Sequence, residues 1–378
     1  MKRLFGLLLL VVLFFIHSTL CFAEEPVIDP DRVLYDMGAY ELAEKIPDNA
    51  KHAFDEIRFS QMELSEIAAL SPQQFVQVLK VSAAAEIKAP LEVFALIMGI
   101  VLLSAIFKGI SDSFPDSSIN NVFAVVAVLC ALGFITEPVI SCIYDAAQVL
   151  KECAAFILAF IPFFAGAVAA GGHPVTAVSY HFFLVAACQG VAQAAARILL
   201  PLMSIYFAVT LAAAVVPGLK LKGITQAVKS VVCWSLGLMT TLFVGLFSVQ
   251  TMVNTGSDAL SIKASKFMLG SFVPIIGGAL SDAFSAAHGC LLLVKSTLGA
   301  FGIVVAALTF IPLVIKVALW CITTMITAQI ALMVESEELA EVLEAAGTVL
   351  SVLLALLMCF ALLIIVCTTV VMVLGFGG

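Results

Sequence analysis

Apolar residues run along this chain in long blocks, not in the alternation of a sheet or the one-sided stripe of a soluble helix. From residue 89 onward the blocks reach about 17 to 25 residues, enough to cross a bilayer. Membrane-spanning helices are predicted near 91–107, 122–143, 153–172, 176–196, 198–217, 231–253, 265–281, 284–308, 310–333 and 347–374. The pairs 153–196 and 265–308 are tight, and each reads as a full hairpin or as a re-entrant loop.

The first 88 residues differ. Met1-Lys2-Arg3 is a positive start, Leu4 to Ile16 an apolar core, and Cys21-Phe22-Ala23 a small-residue cleavage pattern before Glu24-Glu25. This predicts a secretory signal peptide over 1–23. An extracytoplasmic helical segment over 24–88 follows. Asp48 is placed to cap a short helix carrying Ala53, Phe54 and Ile57. Ser71-Pro72-Gln73-Gln74 is a capping box with proline at the first helical position. The helix it opens carries Phe75, Val76, Val78 and Leu79 and runs to about Lys88. Such a segment has a thin core. It suits helices lying on a membrane face or a partner better than a catalytic domain.

Composition sharpens this. Of 378 residues, 62% are hydrophobic and 12% charged, with a mean hydropathy of +1.16. A soluble domain is about half apolar and a quarter charged, so a cytosolic enzyme is excluded. The net charge of −8 is almost all in one place: residues 24–88 hold 13 acids and 6 bases, a net −7. No basic footprint for nucleic acid exists. With residue 24 outside, the loop 218–230 with Lys220, Lys222 and Lys229 falls inside, in keeping with the positive-inside rule. Lys263 and Lys266 then fall outside, and the acidic Glu335–Glu344 stretch inside. The ten cysteines form no CxxC pair, and no His/Cys cluster has zinc spacing.

The membrane part looks repetitive. Pro90, Pro201 and Pro312 each open an apolar run and are spaced 111 residues apart. Phe160-Ile161-Pro162-Phe163-Phe164-Ala165-Gly166 aligns with Phe272-Val273-Pro274-Ile275-Ile276-Gly277-Gly278 at an offset of 112. Asp145 to Lys151 resembles Asp258 to Lys263. The polytopic domain 89–378 therefore reads as repeat-like units 89–199 and 200–310 with a partial third over 311–378. Each unit is two spans and a Gly/Pro-broken hairpin. The fold class expected is all-α: a polytopic helical membrane protein with internal repeats and broken-helix hairpins.

Polar groups at membrane depth mark the candidate site. Pro274, Gly277 and Gly278 loosen a helix, and the freed backbone groups need protein or a wet cavity. Ser281 and Asp282 follow, and Lys295 would approach Asp282 if the chain turns back. Pro162 and Gly166 are the repeat equivalents, while the bend Gly171-Gly172-His173-Pro174 holds no acid. Glu137-Pro138 reads as a further interruption, and Lys316 as an interfacial lysine. No HExxH, P-loop or nucleophile elbow occurs. The expectation is a protein that is no enzyme and takes no cofactor or metal.

The stretch Ser271 to Asp282, with Lys295, Gly299, Pro312 and Lys316 downstream and Lys229 before Trp234, resembles the stage III sporulation protein AE family. The resemblance covers nearly the whole chain. It implies one multi-pass subunit of a channel-like complex between mother cell and forespore, sited in the mother-cell membrane around the forespore. The implied partners are the other membrane subunits of that complex, the bilayer and, indirectly, a forespore membrane protein. The implied role is scaffold or transport component for late forespore development. It carries over no catalytic residue. The competing reading is a stand-alone secondary transporter working through the hairpin from Pro274 to Asp282.

Overall fold

In a computed structural model the protein is described over residues 45–56, 72–111, 117–170, 174–215, 226–241 and 277–373, with single positions at Leu42, Gly223, Ile224 and Gly245. The leader, Ser71, Gly171-Gly172-His173, Lys220, Lys222, Asp258 to Lys266 and Ser271 to Ile276 lie outside the described residues. The elements are α1 (Asp48–Glu56), α2 (Pro72–Glu86), α3 (Lys88–Ser111), α4 (Ser117–Ala170), α5 (Pro174–Ala194), a π-helical turn (Ala195–Leu199), α6 (Leu200–Val215), α7 (Gly277–Met333) and α8 (Glu337–Val373). A further helical stretch covers 226–241. No strand occurs among the described residues.

Local chemistry explains where the helices start. Pro47 offers its carbonyl to the Ala50 and Lys51 amides. Asp48 thus becomes the first residue of α1, one place inside the expected cap, where a carboxylate still complements the helix dipole. Pro72 opens α2, the position at which its missing N–H costs nothing. Only Ile87 separates α2 from α3, and its amide bonds back to Ala83 while Leu91 bonds back to Ile87.

The segments read separately from the sequence join into longer helices. Five stretches among the described residues are long and apolar enough to cross a membrane: Val76–Ile106, Val125–Ala170, Ala177–Ala213, Leu293–Met333 and Glu337–Val366. Glu137-Pro138 does not interrupt α4, which also runs on through Pro162 and Gly166. α4 ends at Ala170 and α5 starts at Pro174, on either side of the Gly171-Gly172-His173 stretch read from the sequence as the bend of the first hairpin. Proline removes one intrahelical bond and bends a helix. Here buried neighbours on both sides, Ile135 and Val139 about Pro138, and Phe160 and Phe164 about Pro162, hold the helix against α7 and the rest of the core. Pro312 likewise lies well inside α7. Pro201 follows the π-helical turn, where the Leu200 amide reaches back to Ala195. That wider turn takes up the hydrogen-bond mismatch a proline creates.

α7 and α8 form an antiparallel pair, and α4 packs against both. Their turn is a Schellman motif: Ser336 N–H donates to the Ala331 carbonyl and Glu335 N–H to Leu332, with Glu335 at φ 56°. Lipid offers no hydrophobic drive between helices, so close packing and polar links hold such pairs. At Gly347 of α8 the side chains of α7 come near enough that a Cβ would lie 3.1 Å from the Met325 Cγ. Next to it Cys321 Sγ and Ser351 Oγ meet at 3.2 Å. Buried hydroxyls return to their own helix: Thr309 donates to the Val305 carbonyl, Thr324 to Trp320 and Thr369 to Ile365. An aromatic column fills the other half of the core. Phe156, Phe160 and Phe164 stack at 5.7 and 5.4 Å, Phe301 leans on the first two, and Tyr180 meets Phe164 edge-on.

Candidate functional site

The hairpin expected to carry function is only partly within the described residues. Pro274 lies outside them. Gly277 and Gly278 are the first residues of α7, and Ser281 and Asp282 follow in its opening turns. Lys295 belongs to the same helix and is 1% exposed. The chain therefore does not turn back between Asp282 and Lys295. Thirteen helical residues separate them by roughly 20 Å along the axis. A continuous helix rules out the pairing that the sequence had left open. Pro162 and Gly166 are exposed on the outer side of α4, on a helix whose buried face is Phe160 and Phe164.

The structure assembles a different polar site. Lys316 on α7 donates to Asp145 Oδ2 on α4 at 2.9 Å, across 171 residues of sequence. The pair is partly shielded, with side-chain exposures of 25% and 34%. Ser141, one turn before Asp145, donates to the same oxygen at 3.4 Å. Around the pair is a cleft of about 260 Å³ lined by Asp48, Asn49, Glu86, Gln148, Glu152 and Pro312, among others. Gln148 donates to Glu152 at 2.7 Å. The cleft is thus acidic, with Lys316 as its cation, and α1 and the end of α2 close it from the side.

Chemically this site can hold water and fix two long helices in register. The described residues form no His/Cys/Asp/Glu group able to hold a metal ion. From the sequence Lys316 reads as an interfacial lysine and Asp145 only as part of a repeated stretch, and nothing local signals a contact between residues so far apart. The useful signal was that two opposite charges, each isolated in apolar sequence, need partners.

Long apolar helices packed through glycine contacts and tied by a partly buried ion pair define a polytopic helical membrane protein. A family model described as stage III sporulation protein AE matches residues 58–375, which take in all of the bundle from α2 to α8. The chain belongs to that family, and it is a sporulation-related membrane protein. It is similar to the stage III sporulation protein AE of Bacillus subtilis (strain 168), with 21% identity over 235 residues. That alignment covers 62% of this chain and 59% of the relative, less than two thirds of the relative's length. No solved structure matches.

Proposed function

We propose that this protein is a membrane subunit of a channel-like complex joining mother cell and forespore, and that it acts as scaffold or transport component for late forespore development. The observation that carries the reading is the family match over 58–375, which takes in the helical bundle from α2 to α8. The protein sits in the mother-cell membrane that surrounds the forespore. Its partners are the other membrane subunits of the complex and, through them, a forespore membrane protein. A role in assembly or passage, not in bond-making chemistry, follows from this reading.

The stand-alone transporter draws its appeal from a paired Asp282–Lys295 site. The continuous helix between them counts against that site. The deciding experiment is a clean deletion in the spore-forming host. Development is expected to stop after engulfment and to resume when the intact gene is returned. The other subunits of the complex are expected to co-purify with a tagged copy. Normal spores from the deletion strain would overturn the proposal.

A further inference from the structure

α4 has 54 residues and α7 has 57. At 1.5 Å per residue they run about 80 and 85 Å, whereas the hydrocarbon core of a bilayer is about 30 Å thick and the whole bilayer about 45 Å. Neither helix fits in one membrane. The charges of α4, Glu137, Asp145, Lys151 and Glu152, lie in its middle. α7 carries Asp282 near its start and the buried Lys295 between that residue and Lys316. The Asp145–Lys316 pair sets Lys316 at the height of the last three charges of α4. At that height the acidic N-terminal segment docks. Asp48 and Asn49 line the cleft with Asp145 and Lys316, as does Glu86 at the end of α2. Lys45, Ile46 and Pro47 line a neighbouring cleft with Glu152 and Phe156. So dense a belt of charge cannot lie at the middle of a bilayer.

The two halves on either side of the belt differ in surface. α3 starts beside it, with the exposed Lys88–Glu92 ion pair, and runs 24 residues along the first half of α4. That is about 36 Å, one bilayer crossing. This half shows large apolar side chains outward, among them Leu96, Leu103 and Ile106 on α3, Leu129 and Phe134 on α4 and Ile326 on α7. The other half, Cys153 onward in α4 with α5 against it, turns mostly small residues outward: Ala155, Pro162, Gly166 and Ala170 on α4, Ala186 and Gly190 on α5. Leu158, Val175, Val178 and Phe182 are its large exceptions.

We infer that the Asp145–Lys316 belt is the outer membrane–water boundary of this protein, that only the half between the belt and the Val334–Ser336 turn lies in lipid, and that the half containing 153–194 stands outside the membrane on the side of the N-terminal segment. The direction rests on the export of residues 24–88, and the belt itself on the geometry alone. The described parts of the N-terminal segment, 45–56 and 72–86, then have a defined seat: they brace the boundary between the two halves. Of the apolar stretches in the sequence, 153–172 and 176–196 become walls of an extracytoplasmic bundle instead of crossings.

The test is cysteine accessibility in the full-length protein, expressed in intact vegetative cells whose extracytoplasmic face is open to the medium, with native cysteines replaced by alanine. Single cysteines go in at Gln148 on the belt, at Gly166 and Phe182 in the outer half, at Leu103 and Ile326 in the lipid half and at Glu337 beyond it. Each variant is first checked for a single peak on size exclusion in mild detergent. A membrane-impermeant maleimide is expected to label Gln148→Cys, Gly166→Cys and Phe182→Cys fully, Leu103→Cys and Ile326→Cys not at all, and Glu337→Cys only after permeabilisation. Failure of both Gly166→Cys and Phe182→Cys to label beside a reactive Gln148→Cys would place the outer half in lipid and overturn the inference. The reverse pattern, with Glu337→Cys reactive in intact cells and Gln148→Cys only after permeabilisation, would overturn the direction of export and leave the belt as a boundary. A silent Gln148→Cys under both conditions would overturn the belt itself.

Discussion

Phe160 of α4 lies so close over Gly302 of α7 that a Cβ placed on the glycine would come within 2.4 Å of the ring's Cζ and 2.9 Å of both Cε atoms. The ring cannot swing away freely, because Phe156 and Phe164 stack on either side of it and Phe301 leans in from α7. Gly302→Ala is therefore expected to destabilise the bundle by about 1–3 kcal/mol, the usual penalty for overpacking a dense core. Thermal unfolding of the purified protein in detergent reads this directly. Pairing the change with Phe160→Leu should recover part of the loss, since the smaller side chain removes the clash. An alanine at 302 without effect would show that the two helices are not in this contact.

The Asp145–Lys316 pair makes a second prediction. Fully exposed pairs contribute about 0–1 kcal/mol, and breaking fully buried ones costs about 3–5 kcal/mol. At 25% and 34% side-chain exposure this pair lies between the two limits. Lys316→Met and Asp145→Asn are each expected to lower stability by on the order of 1–2 kcal/mol, with Ser141 still able to donate to the carboxylate of the lysine variant. The double variant should cost less than the sum of the two, a coupling that a double-mutant cycle measures. Strict additivity would mean the two side chains do not meet.

How much of this was legible in the sequence depends on the distance over which each signal acts. The helical, membrane-bound character came through because every apolar block carries it locally. The starts of α1 and α2 came through for the same reason, from Asp48 and Pro72. The breaks at Pro138 and Pro162 did not: each reads as an interruption, yet packing on both flanks carries α4 through them, and Pro312, read as the opening of a span, lies well inside α7. The site was half legible. Lys316 reads as an interfacial lysine and Asp145 only as part of a repeated stretch, and a contact between α4 and α7 is decided by how the helices pack. Pairing Asp282 with Lys295 failed for the opposite reason: nearness in sequence invited it, and a continuous helix holds the two residues apart.

The turn between α7 and α8 offers a third prediction. Glu335 sits at φ 56°, the left-handed position of the Schellman motif that glycine usually fills. A side chain there costs about 1–2 kcal/mol relative to an unstrained residue. Glu335→Gly is expected to raise the unfolding temperature. Glu335→Val is expected to lower it, because a β-branched residue tolerates positive φ least. If the glycine variant is clearly less stable, the side chain of Glu335 contributes more to the turn than its backbone strain takes away.

The last prediction concerns the hydroxyl of Tyr180. Thr368 of α8 gives its proton to the Ile364 carbonyl at 2.8 Å. The contact of 3.3 Å between Tyr180 Oη and Thr368 Oγ1 must then have tyrosine as donor. It ties α5 to α8 in an otherwise apolar core, where the same ring meets Phe164 edge-on at 5.3 Å. Tyr180→Phe keeps the ring and removes only the donor, so it should cost about 1 kcal/mol, the net value of one buried hydrogen bond. Tyr180→Ala removes the ring as well and should cost about 3–5 kcal/mol. The gap between the two variants, read from unfolding in detergent, separates packing from hydrogen bonding at this seam. Equal losses from both would mean that the hydroxyl, not the ring, holds α5 in place.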